Sequence, residues 1–409
     1  MPLHKLLAFA VFALTYFAVA TGKLPPFRLD RAGAALAGAV AMIVIGAVSR
    51  QQALDAIDFS TLALLLGMMI VVAYLRLSGA FTRVARLVLN RARSGFGLLM
   101  LTVAGAGVLA AFFINDVVCI ALAPILIEAA RTLKAQPQPF LLALATASNI
   151  GSTATITGNP QNMIVAGYAH LTYGGFVVRL APVAVAGLVI DYAIIAYIYR
   201  DQLRQIRRTS TSGALRAPRA PRLLMWRSAV IALGALVGFI LGYPTYLVAL
   251  TAGAVALFTR RIKPERVYHL IDWTLLLMFA GLFVVVAGFE TTGLQNQAVN
   301  LVGAQNLRNP AVLASVMTVL SNLVSNVPAV MLIQPLYHSI ENQNSAVIIA
   351  SASTLAGNLT VLGSIANLIV LEEARKHHVV INFWEYLRVG LPLTIITLAI
   401  GIAMISAGL

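Results

Sequence analysis

Apolar runs separated by short polar stretches follow one another along the 409-residue chain, and they fall into two sets of six. The first set covers about 5–21, 31–49, 60–77, 97–130, 139–169 and 176–199. The second covers about 226–241, 245–259, 272–290, 310–337, 345–371 and 386–408. About 20 apolar residues carry a helix across a bilayer. The pattern therefore predicts an all-α integral membrane protein.

The fourth run of each set is too long for one crossing. Runs 97–130 and 310–337 both carry polar residues near their centres, Asn115-Asp116 in one and Ser325-Asn326 in the other. Backbone that leaves the helix at membrane depth is tolerated where protein or a water-filled cavity surrounds it. We therefore expect two re-entrant hairpins, each with two short helices that meet at a polar tip.

The fifth run of each set, 139–169 and 345–371, has a polar interruption. Residues 148–162 read SNIGSTATITGNPQN, and residues 353–367 read STLAGNLTVLGSIAN, which align without a gap at a spacing of 205. Gly, Asn and Pro are unusual residues for the middle of a membrane helix. Paired interruptions in two halves of a transporter are the best sequence indication of its binding site. We expect both helices to be broken.

The two halves match beyond these motifs. Asp58 aligns with Asp272 at a spacing of 214, and Asn115 aligns with Asn326 at a spacing of 211. Each half has five crossings plus a hairpin. Because five is an odd number, the second half enters the membrane upside down relative to the first. The predicted organisation is two inverted-topology repeats, joined by a basic linker. Their bounds are 1–199, 200–225 for the linker, and 226–409.

The basic residues give an independent test of this topology. With the N-terminus outside, 25 of the 29 Lys and Arg residues fall in cytoplasmic segments and 4 fall outside. Cytoplasmic loops are enriched in Lys and Arg. We therefore predict a multi-pass protein of the inner (plasma) membrane with both termini outside and a cytoplasmic linker 200–225. The first run also fits a cleaved signal peptide, but the repeat count favours a retained helix.

Composition limits the alternatives. The chain is 60% hydrophobic and 11% charged, whereas soluble domains average about 25% charged residues. Its net charge of +15 is explained by topology rather than by nucleic-acid binding. The single cysteine, Cys119, excludes an intramolecular disulfide and a CxxC site. The sequence contains no GxxxxGK[ST] loop, and its interruptions contain no nucleophile–base pair or metal cluster. An enzyme is therefore not indicated, and no cofactor is expected.

Asp116 is the sharpest candidate residue. An ionisable side chain at membrane depth is a functional-site hypothesis by default, and Asp116 could bind Na⁺ or carry a proton. The alternative is that it caps the following helix. Asp58 and Asp272 begin helices, which favours capping. Asp191 is a weaker proton-relay candidate, and a structural partnership is at least as good an explanation.

Amides and hydroxyls supply the remaining ligand candidates. Asn115 and Asn326 lie at the two tips, where free helix ends can bind an anion or a cation. Individually, the polar residues of the interruptions could equally bond neighbouring helices; as a set, they predict the lining of a cavity. That set is Thr155, Thr157, Asn159, Asn162, Thr360, Ser364 and Asn367.

These motifs resemble a known group. Residues 147–155 with 158–162 are similar to the signature of the ion transporter superfamily, which includes divalent anion:sodium symporters, citrate–metal symporters, arsenite pumps and sodium/proton antiporters. Residues 112–116 with Pro124 resemble the hairpin tip of the arsenite permeases. Ser325-Asn326-Val327 stands where the divalent anion symporters have Ser-Asn-Thr.

The resemblance implies an elevator-type secondary transporter, a homodimer in the lipid bilayer, whose tips and breaks bind substrate and Na⁺. By position, the Na⁺ sites would involve Asn115, Asp116 and Gly158, and Ser325, Asn326 and Gly363. Ile114, Asp116 and Val327 depart from the Ser-Asn-Thr pattern, which favours a proton through Asp116. Our hypothesis is a Na⁺- or H⁺-coupled transporter of a small anion, either a carboxylate or an inorganic oxyanion. The alternatives are an arsenite or metalloid efflux permease, a sodium/proton antiporter, and an ion channel.

Overall fold

The structure of the protein is a computed structural model. It describes residues 3–21, 29–89, 91–92, 94–206, 222–259, 261–294, 304–337 and 343–408. Over these ranges the regular elements are α- and 3₁₀-helices, without a β-strand, so the all-α prediction is confirmed. Most of the predicted linker 200–225 lies outside the described residues.

The helices follow the predicted apolar runs, with several short additions. In the first half they are α1 (Leu3–Thr21), α2 (Arg31–Val44), α3 (Arg50–Ala56), α4 (Phe59–Leu77), α5 (Ala80–Leu89), α6 (Gly95–Phe112), α7 (Asn115–Thr132), α8 (Gln138–Ser152), α9 (Pro160–Tyr168) and α10 (Tyr173–Ile198). From the start of the linker onward they are α11 (Arg200–Gln205), α12 (Arg222–Ile240), α13 (Thr245–Leu257), α14 (Pro264–Tyr268), α15 (Trp273–Glu290), α16 (Ala304–Leu307), α17 (Pro310–Val324), α18 (Asn326–Tyr337), α19 (Gln343–Leu355), α20 (Ile365–Lys376) and α21 (Phe383–Ser406).

Within the described ranges, seven helices are long and apolar enough to cross a membrane: α1, α4, α6, α10, α12, α15 and α21. Three shorter apolar helices, α2, α13 and α17, accompany them. Many of their large apolar side chains are exposed, including Val178 and Tyr197 at 72% each. Such surface is stable in contact with lipid. The protein is a multi-pass membrane protein.

Two expectations need correction. The stretch 76–93, which separates two predicted apolar runs and was not predicted to be helical, contains α5, a helix of amphipathic sequence. The arms of the first predicted hairpin are also longer than expected, because α6 and α7 have 18 residues each. An 18-residue helix is about 27 Å long. In the second pair, α17 and α18 have 15 and 12 residues.

Close helix packing recurs at a fixed spacing along the chain. Gly67 of α4 lies against the backbone of Ala249 in α13, where an added Cβ would be 2.4 Å from the Ala249 carbonyl carbon. Gly281 of α15 lies in the same way against Ala35 of α2, at 2.7 Å. Both glycines and both alanines are 214 positions apart. Only glycine allows this close approach of two membrane helices, so the two halves use the same device.

The contacts of α8 show that the chain reverses between α6 and α7. Gly151 lies against Gly107, and the Thr155 hydroxyl donates to the Ala111 carbonyl, so α6 runs parallel to α8. Asn115 and Cys119 of α7 contact Asn149 and Ser148 of α8 in the opposite order along the chain. The reversal takes place at Phe113 and Ile114, immediately before the predicted polar tip.

Candidate functional site

Both predicted interruptions leave the α-helix. In the first, α8 ends at Ser152, a 3₁₀ turn covers Ile156–Gly158, and α9 begins at Pro160. In the second, α19 ends at Leu355, 3₁₀ turns cover Ala356–Asn358 and Val361–Gly363, and α20 begins at Ile365. We call residues 153–159 break 1 and residues 356–364 break 2.

Each resumed helix has a side-chain cap. Asn159 accepts from the backbone N–H of Asn162 at 2.8 Å at the start of α9, and Ser364 accepts from the N–H of Ala366 at 3.3 Å at the start of α20. Pro160 takes the first helical position of α9, where a missing N–H has little cost. Local sequence therefore specifies where both helices restart.

Carbonyl groups released by the breaks are bonded by the two asparagines that align at a spacing of 205. The amide of Asn162 donates to the carbonyls of Ser152 and Thr155, both at 2.9 Å. The amide of Asn367 donates to the carbonyls of Gly357 and Thr360, at 2.7 and 3.1 Å. These acceptors also align at the same spacing. Because a buried unpaired carbonyl is costly in a membrane, these amides stabilise both breaks.

Asn149, on α8, connects the first tip with break 2. Its Oδ1 accepts from Asn115 and from Ser364, each at 3.0 Å. Its Nδ2 donates to the side-chain oxygens of Asn358 and Asn367, at 2.9 and 3.0 Å. All four partners are buried. This one amide therefore ties α7 and α8 to both sides of break 2.

Thr354, on α19, has the corresponding position in the second half and connects to break 1. Its hydroxyl accepts from the amides of Asn159 and Gln161, at 3.1 and 3.3 Å. It also lies 3.3 Å from Oδ1 of Asn162. Each broken helix therefore bonds the interruption of the other, and the two breaks form one polar centre.

Gly158 determines how compactly break 1 can fold. A Cβ at this position would lie 2.2 Å from the carbonyl oxygen of Ser152, and the Ser152 backbone cannot move aside because Asn162 bonds it. Glycine is therefore required by close backbone approach. The corresponding distance at Gly363 is 2.9 Å to the Gly357 carbonyl oxygen.

Asp116 is the one carboxylate at the first tip. It occupies the second position of α7, is half-buried, and accepts no side-chain hydrogen bond from the part of the chain that the structure describes. The residue before the helix, Ile114, makes no side-chain cap. Asp116 thus differs from Asp58 and Asp272, which accept from the N–H groups of Thr61 and Leu275, as capping residues do. The capping prediction for Asp58 and Asp272 is confirmed.

The second tip has a strained turn. Ser325 links α17 to α18 with φ +76° and ψ 159°, a backbone region that is nearly restricted to glycine. Beside it, Asn326 donates to the carbonyls of Ser353 and Gly363, both at 3.1 Å, in the amide orientation that satisfies its surroundings. Asn326 therefore joins the tip to break 2, as Asn115 joins the first tip to Asn149.

Thr155 and Thr157 do not face this polar centre. The Thr155 hydroxyl donates to the Ala111 carbonyl, and Thr157 lies 3.0 Å from the hydroxyl of Tyr173. Thr157 also lines an apolar cavity of about 290 Å³ beside Phe112, Phe113 and residues of α4 and α12. Their bonds to neighbouring helices are the alternative that the sequence left open for individual hydroxyls.

The two breaks differ in exposure. Residues 153–159 are all buried, whereas Leu359, Thr360 and Val361 are half-buried and Leu362 is 70% exposed. Thr360 donates to Oδ1 of Asn322, a residue of α17 that also bonds the Ala356 carbonyl at 3.0 Å. Break 2 is therefore the more exposed of the two.

Several residues of the centre are missing from the candidate set predicted from the sequence: Asn149, Ser152, Gln161, Asn322, Thr354 and Asn358. Five of them lie inside the two aligned motifs, so position in the motif was their signal. Asn322 lies outside the motifs, and its polarity within run 310–337 was the only indication.

Comparison with known proteins places this fold in a family. The model of the citrate transporter family matches residues 16–356. The silicon efflux transporter LSI3 of Oryza sativa subsp. japonica is 30% identical, over 94% of both chains. Among solved structures, the YdaH transporter of Alcanivorax borkumensis aligns with a TM-score of 0.58 at 15% identity, covering 99% of this chain and 98% of that one. The Neisseria gonorrhoeae efflux pump MtrF aligns at 0.62 and 14% identity, covering 99% and 94%. This chain therefore belongs to the citrate transporter family, within the ion transporter superfamily that its motifs resemble.

Proposed function

We propose that the protein is a secondary transporter of a small, oxygen-rich solute of low charge, such as an inorganic oxyacid or its anion, coupled to Na⁺ or H⁺. The observation that carries this proposal is the polar centre itself, in which Asn149 and Thr354 hold two broken helices together. Such paired breaks mark the binding sites of transporters.

The chemistry of the centre favours hydroxyl-rich solutes over highly charged anions. Its side chains are amides and hydroxyls, and over the described ranges no Lys or Arg bonds a residue of either break or tip. An anion would have to rely on helix N-termini and a bound cation. Amides and hydroxyls instead offer matched donors and acceptors to the neutral hydroxyl groups of an inorganic oxyacid.

A second cleft supports the same substrate class. It has a volume of about 870 Å³, and its lining includes Asp55, Asp58, His170 and several tyrosines but, among the described residues, no Lys or Arg. We propose that the solute passes this cleft, where the two carboxylates would repel a multiply charged anion. The silicon efflux activity named for the rice relative fits this chemistry. Carboxylates are the second candidate, because the matching family model is named for citrate.

The proposed mechanism is an elevator motion of the two tips and breaks against the remaining helices. The repeated Gly67–Ala249 and Gly281–Ala35 contacts support an inverted duplication, and the reversal at Phe113 and Ile114 supports a re-entrant hairpin. In this proposal the free carboxylate of Asp116 binds the coupling cation at the first tip. A homodimer, a plasma-membrane location, outside termini and a cytoplasmic linker belong to the same proposal.

The test is a thermal-shift screen of purified protein with silicic acid, arsenite, phosphate, sulfate and citrate, each with and without Na⁺. We expect stabilisation by silicic acid or arsenite and weaker effects of citrate. Uptake into proteoliposomes should then proceed uphill when a Na⁺ or proton gradient is imposed. Uptake that no gradient drives uphill would instead identify a channel, and exclusive stabilisation by citrate would overturn the low-charge substrate.

A further inference from the structure

Asp191 is a buried carboxylate that the polar centre does not use. It lies in the middle of α10, is fully buried, and its Oδ1 is 2.8 Å from the hydroxyl of Thr146 on α8. Its Oδ2 is buried without a hydrogen-bond partner. An ionised carboxylate in such a place is costly unless a cation or several donors accompany it. The group therefore requires an explanation.

Two more unpaired hydroxyl groups lie on the adjacent helix. Helices α10 and α21 run antiparallel, because Gly187 contacts Thr397 and Gly401 contacts Val183. This register places Asp191 level with Leu393 and Thr394. The Thr394 and Tyr386 hydroxyls are buried and, like Oδ2 of Asp191, have no hydrogen-bond partner among the described residues. Three such atoms on two packed helices are more than membrane helices normally tolerate.

We propose that Asp191 is a second cation site, distinct from the tips, and that the cation is a proton. Thr146 makes both charge states possible, because its hydroxyl lies 2.8 Å from Oδ1 of Asp191 and 2.9 Å from the carbonyl of Leu142. When Asp191 is ionised, Thr146 donates to it. When Asp191 is protonated at Oδ1, the carboxyl donates to Thr146 and Thr146 donates to Leu142.

A proton fits this site better than a metal ion does. The backbone carbonyls of α8, α10 and α21 around Asp191 are used within their helices, which leaves one carboxylate oxygen and a few hydroxyls. Metal ions of the main groups require about six oxygen ligands. A carboxylic acid needs a single acceptor for its proton, and Thr146 can supply it.

Other titratable groups near Asp191 are few. Tyr386 of α21 and Cys119 of α7 face the same interior. Helices α6, α8 and α19, which also pack near α10, carry no acidic or basic residue. The charged groups on these packed helices are Arg179 near the start of α10, Glu385 and Arg388 near the start of α21, where Tyr199 bonds Glu385 at 3.1 Å, and those of α11 and α12. A proton at Asp191 therefore has no close ionic competitor within the described residues.

A short chain of contacts connects this site to the polar centre. The carbonyl of Thr146 accepts from the amide of Asn358 at 3.4 Å, and Asn358 in turn accepts from Asn149 at 2.9 Å. Protonation of Asp191 redirects the hydroxyl of Thr146, which lies about one helical turn before Asn149, the residue that ties α8 to break 2. This role rests on the proposed transport function, but proton binding by itself does not.

The experiment is infrared difference spectroscopy of the full-length protein in lipid, recorded between acidic and alkaline pH with no substrate present. The wild type should show the C=O stretch of a buried carboxylic acid that disappears as pH rises, and Asp191→Asn should lack this band. The same band in Asp191→Asn would overturn the proposal. A band in the wild type that does not respond to pH would also overturn it, because Asp191 would then be permanently neutral.

A matched pair of variants tests the cluster without removing the carboxyl. Thr394→Val deletes the unpaired hydroxyl beside Asp191, whereas Thr397→Val deletes a hydroxyl on the same face that bonds its own helix at the Leu393 carbonyl. We expect Thr394→Val to shift the frequency and the pH midpoint of the band, and Thr397→Val to shift neither. Equal shifts, or none in either variant, would overturn the role of the cluster. Because the measurement needs no solute, the proton site can fail while the transport function stands, and the reverse.

Discussion

The side-chain amide of Asn149 donates to the side-chain oxygen of Asn367 at 3.0 Å, although the two residues lie on different broken helices. The same contact recurs between Thr354 and Asn162 at 3.3 Å. Asn367 and Asn162 also donate to the released carbonyls of their own breaks. The geometry of one break is thus linked to the position of the other helix.

Asn149→Ala should destabilise the protein and abolish transport. It leaves the amides or hydroxyls of Asn115, Ser364, Asn358 and Asn367 short of a partner, and each unsatisfied buried group costs about 1–3 kcal/mol. Apparent unfolding temperature in detergent and uptake into proteoliposomes measure the two effects.

The control for Asn149 is Ser351→Ala on α19. Ser351 is also buried, but its hydroxyl bonds only the Ile348 carbonyl of its own helix, at 3.2 Å. It should behave nearly as the wild type. If Asn149→Ala were no less stable than Ser351→Ala, the hydrogen bonds of Asn149 would not stabilise the folded protein.

Gly158→Ala should prevent break 1 from closing. The new methyl group would meet the Ser152 carbonyl at 2.2 Å, so the backbone must shift and the Asn162 bonds must lengthen. We expect transport to fall at least tenfold with a measurable loss of stability. Gly105→Ala, at a position on α6 with open space around its Cβ direction, should be neutral or slightly stabilising. Equal activity of the two variants would contradict the close approach at Gly158.

The fold was largely predictable because lipid imposes simple rules on sequence. Apolar runs gave the helices, and Gly, Asn and Pro at membrane depth located both breaks. Helix α5 was missed because its Arg residues at 83 and 86 read as loop charges, although they lie on one polar face. The arms α6 and α7 were expected to be short because a polar tip indicates a break and carries no information on helix length.

The sequence predicted the residue types of the candidate site better than it predicted their hydrogen-bond partners. Motif position identified Asn162 and Asn367 from the sequence, but nothing local indicated that Asn149 would bond them across the bundle. Such contacts depend on how two helices from different halves pack, which neither motif encodes alone. Thr155 and Thr157 show the converse, since hydroxyls within a motif can turn to the nearest carbonyl or hydroxyl outside it.

Asp116→Asn tests whether the first tip binds the coupling cation. Because Asp116 accepts no side-chain hydrogen bond among the described residues, its loss should have little effect on folding while transport no longer responds to Na⁺ or to pH. Gradient-driven uptake and exchange at equal concentrations on both sides separate coupling from movement.

The comparison for Asp116 is a carboxylate whose role is a helix cap. Asp30 accepts from the N–H of Gly33 at 2.8 Å, so Asp30→Ala should cost about 1 kcal/mol of stability and keep coupling intact. Should Asp116→Asn instead lose stability and retain its cation dependence, Asp116 would be a cap after all.

Ser325 offers a test that separates backbone strain from side-chain chemistry at the second tip. Its φ of +76° and ψ of 159° are costly for any residue with a Cβ, by about 1–3 kcal/mol. Ser325→Gly should therefore raise the unfolding temperature, whereas Ser325→Ala keeps the strain and should not. Both variants lack the hydroxyl. If that hydroxyl binds solute or Na⁺, the two variants should therefore lose affinity equally. Thermal shift with silicic acid, arsenite and Na⁺ measures this loss. If Ser325→Gly alone lost transport, the strained turn, and not the hydroxyl, would be the feature that the tip needs. If Ser325→Gly were no more stable than Ser325→Ala, the turn would not store strain in the folded protein.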